Sequence, residues 1–283
     1  MILEIEHRLK YTYSDYVGLN PHYFYLNPRP TPFQQIIESN LTILPKPDLL
    51  VKNIDQEGNI QQLCYINQLL KSFEVFSKFK IKTDSFQALN FVFFPFDTAK
   101  IPFRYPGKLA SNFEAILGNK KIDEVVREFA KQIAEKAKYD TIDFLMELTT
   151  EIHGKFEYVS RERGDANSGG ITLKTLQGSC RDFSVLMMEA CAAMGLLSRF
   201  VSGYLYGSEL HQHDLHAWVE VLLPGGGWRG FDPTEGRVVD HNYIAIASSI
   251  EDRGLTPIRG TYRSSFNVDS MLDTQVIIKA VKE

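Results

Sequence analysis

Cys180, His216 and Asp232 stand along the chain in the order thiol, imidazole, carboxylate. A thiol attacks an acyl carbon as its thiolate, which needs a base beside it, and the base needs a third group to orient it. The chemistry these three types point to is acyl transfer through a thioester. Cys180 follows Gly178-Ser179 and opens an apolar run that continues through Phe183 to Met194. That run is apolar on nearly every side, as in a helix buried in a core. Gly195 stands where a C′ glycine ends a helix, and Gly178 and Ser179 supply a tight turn and a cap at its start. Cys180 then falls in the first helical turn. There the free N–H groups and the positive end of the helix dipole favour a thiolate, and a backbone N–H can stabilise an oxyanion.

The base and its orienting group must come from a β-hairpin. His216-Ala-Trp-Val-Glu-Val-Leu-Leu223 reads as a strand, Pro224-Gly-Gly-Gly227 as a turn, and Trp228 to Thr234 as the returning strand. A plain four-residue loop pairs 223 with 228 and points Asp232 to the wrong face. One bulge residue among the glycines puts 216 opposite 234. Asp232 then becomes the same-face diagonal neighbour of His216, about 7–8 Å away between Cα atoms and within reach of a hydrogen bond.

Each of these residues has a plainer reading. A cysteine in an apolar run is usually core, which is the expectation for Cys191, while Cys64 has no evident partner. Asp232 before Pro233 also suits a turn start. The spacing His211-x-His213-x-x-His216 admits a zinc site, but no second ligand cluster accompanies it, and His211 and His213 suit a solvated loop with Glu209 and Asp214. Trp218 shares the face of His216 and either walls the cleft or is core. Arg181 and Asp182 either orient the cleft or form a charge pair at the helix end. Gln177 and nearby polar residues are candidates for the oxyanion donor.

Gly-Ser-Cys180-Arg-Asp-Phe, Arg199-Phe-Val-Ser-Gly-Tyr204, His216-Ala-Trp218 and Gly230-Phe-Asp232-Pro-Thr, in that order, resemble the core of the transglutaminase-like superfamily. Those enzymes resemble papain in using a Cys, a His and then an Asp (Asn in papain). The likeness spans roughly residues 120–240, and the first hundred residues look like the β-rich N-terminal region of the bacterial branch of that family. The resemblance implies an α+β fold: a papain-like core of helices packed on an antiparallel sheet, preceded by an N-terminal β-sandwich. It implies the catalytic set Cys180, His216 and Asp232, with Trp218, Asp182 and Gln177 as cleft candidates and no cofactor or metal. The expected division is 1–100 for the sandwich, 101–120 for a linker and 121–283 for the catalytic domain.

The rest of the chain must build the frame. From Ile2 to about Phe96 short β-rich segments alternate with turn signals: Ile2–Tyr13, Gln34–Leu44, Leu49–Val51 and Ile60–Asn67 around a polar turn, and Ser72–Lys82. Pro102, Pro106 and Gly107 punctuate the linker. The period then changes. Ile122, Val125, Val126, Phe129, Ile133 and Ala137 mark one amphipathic helix, and Ile142, Leu145, Met146, Thr149 and Ile152 a second, capped by Asp140 or Thr141. Ser160–Gly170 is a polar loop leading to the nucleophile, either a cleft wall or a mobile connector. Strands follow at Ser198–Tyr206, Tyr243–Ser249 and Thr274–Val281, the last expected to rejoin a sheet edge.

The chain has 283 residues, of which 44% are hydrophobic, enough for a packed core. Its net charge of −4 offers no basic footprint for nucleic acid. Charges run through Met1–Lys10, and no stretch approaches eighteen apolar residues, so neither a signal peptide nor a membrane span is expected. Three cysteines without Cys-x-x-Cys spacing suit a reducing cytoplasm. The expected partner is a peptide or protein substrate. The reading that follows is a cysteine peptidase or amidase. Transamidation by the same triad is the alternative, then a non-catalytic binding protein on the same fold, then a metal-dependent hydrolase. No clustered acidic calcium loop of the animal transglutaminase kind is present, and water is the default acceptor unless a site excludes it. Trp218 and Trp228 are the residues that could shield one.

Overall fold

Strict alternation of polar and apolar residues gives the first third of the chain its form. In β1 (Ile2–Leu19) Leu3, Ile5, His7 and Leu9 point inward while their neighbours face out. The computed structural model describes residues 1–107, 110–161, 164–208, 210, 214–251 and 255–281. β2 (His22–Phe24), β3 (Gln34–Leu44), β4 (Leu49–Ile54), β5 (Ile60–Tyr65) and β6 (Leu69–Thr83) follow β1. β1, β6 and β3 lie side by side in one antiparallel sheet, and β2, β5 and β4 in a second. Leu9, Val17, Phe24, Ile43, Cys64, Phe73 and Val75 fill the space between them, the sandwich expected from the sequence.

The second half begins within the stretch read as a linker. Ile101 and Tyr105 are buried, and Ile101 belongs to the core of the helical half. The Tyr105 hydroxyl donates to Leu222 O and accepts from Leu197 N–H. A helix, α1 (Ala110–Gly118), follows. Prolines in this stretch mark turns of a packed segment, because apolar Ile101, Phe103 and Tyr105 alternate with them. α2 (Glu124–Lys136) and α3 (Thr141–Lys155) match the two amphipathic patterns, and Asp140 caps α3 by accepting from the N–H groups of Ile142 and Asp143. β7 (Glu157–Tyr158), α4 (Gly169–Thr175) and β8 (Gln177–Gly178) lead to α5 (Cys180–Ala193). Gly195, with φ of +78°, ends that helix region.

β9 (Ser198–Leu205), β10 (His216–Leu223), β11 (Gly227–Asp232), β12 (Arg237–Val238) and β13 (Tyr243–Ser249) form an antiparallel sheet ordered β12-β11-β10-β9-β13. One face, with Ala217, Val219, Val221 and Phe231, packs on α5, α2 and α3 through Phe183, Met187, Val126 and Phe144. The other meets the N-terminal sheet, where Leu3, Ile5, Phe79 and Ile81 pack on Tyr204, Ile244 and Ile246. Buried His7 bonds the Tyr204 hydroxyl at 2.8 Å there, and burial holds its pKa down to about 4, so it is neutral.

The chain then turns back. β14 (Ile258–Arg259) pairs with β2, while β15 (Tyr262–Arg263) and β16 (Ser270–Val281) pair with β1. The last strand does rejoin a sheet edge, but that edge lies in the N-terminal sandwich. Residues 258–281 therefore complete the first unit, whereas the sequence reading placed all of 121–283 in the second. Strand pairing is non-local, and nothing within β16 names its partner. Among the described residues no helix is long and apolar enough to cross a membrane.

Candidate active site

Cys180 is the first residue of α5, where Gly178 and Ser179 bring the chain into the helix. The Asp182 carboxylate holds that entry. Its Oδ2 accepts the Ser179 backbone N–H at 2.8 Å and the Ser179 hydroxyl at 2.9 Å, and its Oδ1 accepts from Arg161 at 2.5 Å and from the Asn167 N–H at 2.7 Å. A Cβ on Gly178 would come within 2.8 Å of Asp182 Cβ, so only glycine lets the strand pass this close. Arg181 donates to the carbonyls of Gly164 and Arg161. The described part of the 160–170 loop is thus latched to the helix start. Asp182 is 1% exposed with its acceptors occupied, so of the two readings open to it, cleft residue or helix-end charge, the structure has the second: it anchors the turn before Cys180.

His216 and Asp232 arrive by the hairpin. The register pairs Leu223 with Gly227 and Val219 with Phe231, which extends to 216 opposite 234 as the bulged reading requires. Gly225 and Gly227 adopt φ of +83° and +72°, conformations that let a three-residue loop close the strands. His216 Nε2 and Asp232 Oδ2 are 2.6 Å apart, and both side chains are fully buried. The imidazole also interacts with Cys180 through a side-chain hydrogen bond and charge. Burial alone would lower the His216 pKa, but the Asp232 carboxylate and Cys180 outweigh it and raise it to about 10. Asp232 moves the other way: burial favours its neutral form, yet His216, the Tyr243 hydroxyl and a backbone N–H hold its pKa below the ordinary carboxylate value. The arrangement is a thiol, an imidazole and a carboxylate in series, the types that acyl transfer through a thioester requires.

Tyr243 completes the set and was missed from the sequence. Its hydroxyl donates to Asp232 Oδ2 at 2.8 Å, the oxygen that also takes His216, while Thr234 and Glu235 donate their N–H groups to Oδ1. Tyr243 starts β13, two strands from His216 with β9 between them. Gly203 is the residue of β9 paired with His216. A Cβ there would sit 2.1 Å from Ile244 O and 2.5 Å from the Trp218 ring, so the missing side chain makes room for the aromatic layer over the imidazole. Local sequence shows only a strand-forming tyrosine. Tyr243→Phe is expected to lower stability by about 1.5–3 kcal/mol, the usual value of a hydrogen bond to a charged group, measured by urea unfolding near neutral pH. An unchanged midpoint would mean the bond contributes nothing net.

Trp218 is 1% exposed and packs with its ring centroid 6.0 Å from that of His216 and 5.3 Å from that of Tyr243. It shields the imidazole from behind and is core on that side. Gln177 is exposed on β8, three residues before the thiol. Glu209, His211 and His213 lie outside the described residues. Among the described residues no group of three or more His, Cys, Asp or Glu is arranged to hold a metal ion. Cys64 is buried in the sandwich core, and Cys191 is fully buried in the core of the helical half, further along the helix that Cys180 starts.

Residues 127–233 match the family model described as the transglutaminase-like superfamily, and residues 3–82 match the bacterial transglutaminase-like N-terminal region. The chain is similar to an uncharacterized protein of Mycobacterium tuberculosis, 28% identical over 292 residues that cover 96% of this chain and 90% of the relative. It is also similar to a protein-glutamine gamma-glutamyltransferase of Pseudomonas aeruginosa, 33% identical over 125 residues, 38% of this chain and 19% of that protein. Among solved structures, a candidate cysteine protease from Cytophaga hutchinsonii superposes with a TM-score of 0.74 at 18% identity, covering 100% of this chain and 91% of that one. At that identity the likeness is one of fold, and it spans both the sandwich and the helical half. With both models matched in chain order, the chain belongs to the transglutaminase-like superfamily, its core preceded by the bacterial N-terminal region.

Proposed function

We infer that the protein is a cysteine-dependent acyl-transfer enzyme, a peptidase or amidase acting through Cys180, His216 and Asp232. The observation that carries this reading is the buried series itself: a 2.6 Å His216–Asp232 contact whose imidazole also engages a thiol at a helix start. In the first step Cys180 Sγ attacks the amide carbonyl carbon. As the C–N bond breaks, His216 gives its proton to the leaving amine, and a thioester remains. Water then attacks the thioester while His216 takes a proton, the C–S bond breaks, and acid and thiol are released. Asp232 keeps the ring in one orientation throughout and stabilises its charge. N–H groups of the first turn of α5 are available to the carbonyl oxygen as it gains charge.

Alkylation with iodoacetamide tests the nucleophile. Cys180 is expected to react well ahead of Cys64 and Cys191, whose thiols burial pushes up to about 11 and about 12. Peptide mapping of the labelled protein identifies the site, and equal labelling of all three cysteines would remove the basis for a privileged thiol. The substrate class is then read from a peptide-amide library, with Cys180→Ala as the blank.

Transamidation is the second reading, favoured by the 33% identical stretch shared with the Pseudomonas glutamyltransferase. The same thioester is released to an amine in place of water. Incubation with a glutamine peptide and a fluorescent primary amine separates the two. Amine incorporation that outpaces release of free acid, and that is lost in Cys180→Ala, would replace hydrolysis with transamidation.

A further inference from the structure

On the sheet face turned away from α5, Trp218 and Tyr243 stand between the His216–Asp232 pair and a cavity of about 300 Å³. Its far wall is the 29–34 segment of the N-terminal half, so the cavity lies where the two halves of the chain meet. The volume is at the small end of the range for ligand pockets.

Its wall carries more positive than negative groups. Arg199 reaches Glu220 Oε2 at 2.6 Å, and Arg29 lies 3.8 Å from the same oxygen, so two guanidiniums share one carboxylate. Arg229 adds a third. The other acid on the wall, Asp240, is 3.8 Å from Arg237, a further arginine outside the cavity. These cations are largely withdrawn from water: the Arg29 and Arg199 side chains are 16% and 12% exposed. Arg29 Nη1, Arg229 Nε and Trp218 Nε1 are buried donors with no hydrogen-bond partner among the described residues. Burial lowers the pKa of Arg29, with Glu220 opposing and Arg199 adding to the fall. An excess of partly desolvated guanidinium is costly alone and is relieved by an anion. Aromatic rings form part of the rest of the wall, beside prolines, threonines and Val239: Arg199 lies 4.1 Å from the centroid of Trp228, and Phe33 stacks on Phe86 at 4.2 Å.

We propose that this cavity binds a small organic carboxylate. Its carboxyl group meets the forked guanidiniums of Arg29 and Arg199, and its apolar body lies against Trp228 and the Phe33–Phe86 pair. Glu220 is the internal competitor for the same arginines. Its removal strengthens binding, whereas loss of Arg29 weakens it. Occupancy does not depend on Cys180, so the site stands whether or not the protein is an acyl-transfer enzyme.

Isothermal titration of the full chain carrying Cys180→Ala with phenylacetate tests this, with phenylacetamide as its neutral counterpart and sulfate as an anion without the apolar body. Saturable one-to-one binding is expected in the millimolar range or tighter. It should weaken about tenfold in Arg29→Gln, as for loss of one charged hydrogen bond, and tighten in Glu220→Gln. Phenylacetamide and sulfate should each bind at least about tenfold more weakly. Circular dichroism melting shows whether each variant is folded, and the opposite sign at Glu220 keeps the result decisive if Arg29→Gln is not. Absence of saturation up to about 10 mM would overturn the proposal, because weaker association is below any useful affinity. Equal binding of the amide, or affinity unmoved in Glu220→Gln, would do the same.

Discussion

Cys180→Ala is expected to cut amide turnover by roughly 10⁴-fold or more while the protein stays folded. The two halves of that expectation have separate causes. In the proposed reaction the sulfur forms the defining bond, and no other side chain in the series can take its place: His216 is bonded to Asp232, Cys64 is buried in the sandwich core, and Cys191 is buried further along the same helix. The fold has little stake in the sulfur. Helix entry is held by Asp182 through Ser179, Arg161 and Asn167, and alanine is a good helix former at the first position. Turnover of the best library substrate, measured beside a thermal melt, tests both. Activity within about tenfold of the parent protein would place the nucleophile elsewhere.

Asp232→Asn should reduce turnover by roughly 10³–10⁴-fold and move the alkaline limb of the pH profile downward. The carboxylate is the main influence that raises the His216 pKa to about 10 against burial, which acts to lower it. An amide keeps the shape but supplies no charge, so the imidazolium then loses its proton at lower pH. The same linkage predicts a stability trend in the parent protein. A histidine whose folded pKa is raised from 6.5 to about 10 contributes stability that is whole below about 6.5 and is lost as pH rises through about 10. Asp232, whose folded value is depressed, contributes stability present above its ordinary value and lost on acidification. Urea midpoints across this range should therefore fall toward pH 10 in the parent protein and fall less in Asp232→Asn. A variant with the parent's alkaline limb would show that Asp232 does not hold the charge on His216.

How much of this was open to a reader of the sequence follows from the range of each signal. The α5 helix, its glycine stop and the two amphipathic helices are written in spacings of three and four residues, and the structure has them. The hairpin register was readable too, since the glycines between Leu223 and Trp228 permit few closures and only one puts His216 and Asp232 on one face. Residues close in the chain thus determined the order and relative facing of the thiol, imidazole and carboxylate.

Tertiary structure decided what surrounds them. Tyr243 reaches Asp232 only because β13 adds to the far side of β9 and Gly203 leaves the gap between them. Asp182 reads as a helix-end charge, and Ser179 beside it is a local partner, yet its other two partners are 15 and 21 residues upstream, in a loop with no periodic signal. The return of β16 to β1 joins residue 281 to residue 2. The arginine cavity gathers Arg29 from the N-terminal half and Arg199 and Arg229 from the sheet. A strand or helix announces itself through its own period, but which strand it pairs with is settled by burying both faces at once, a condition that belongs to the whole chain.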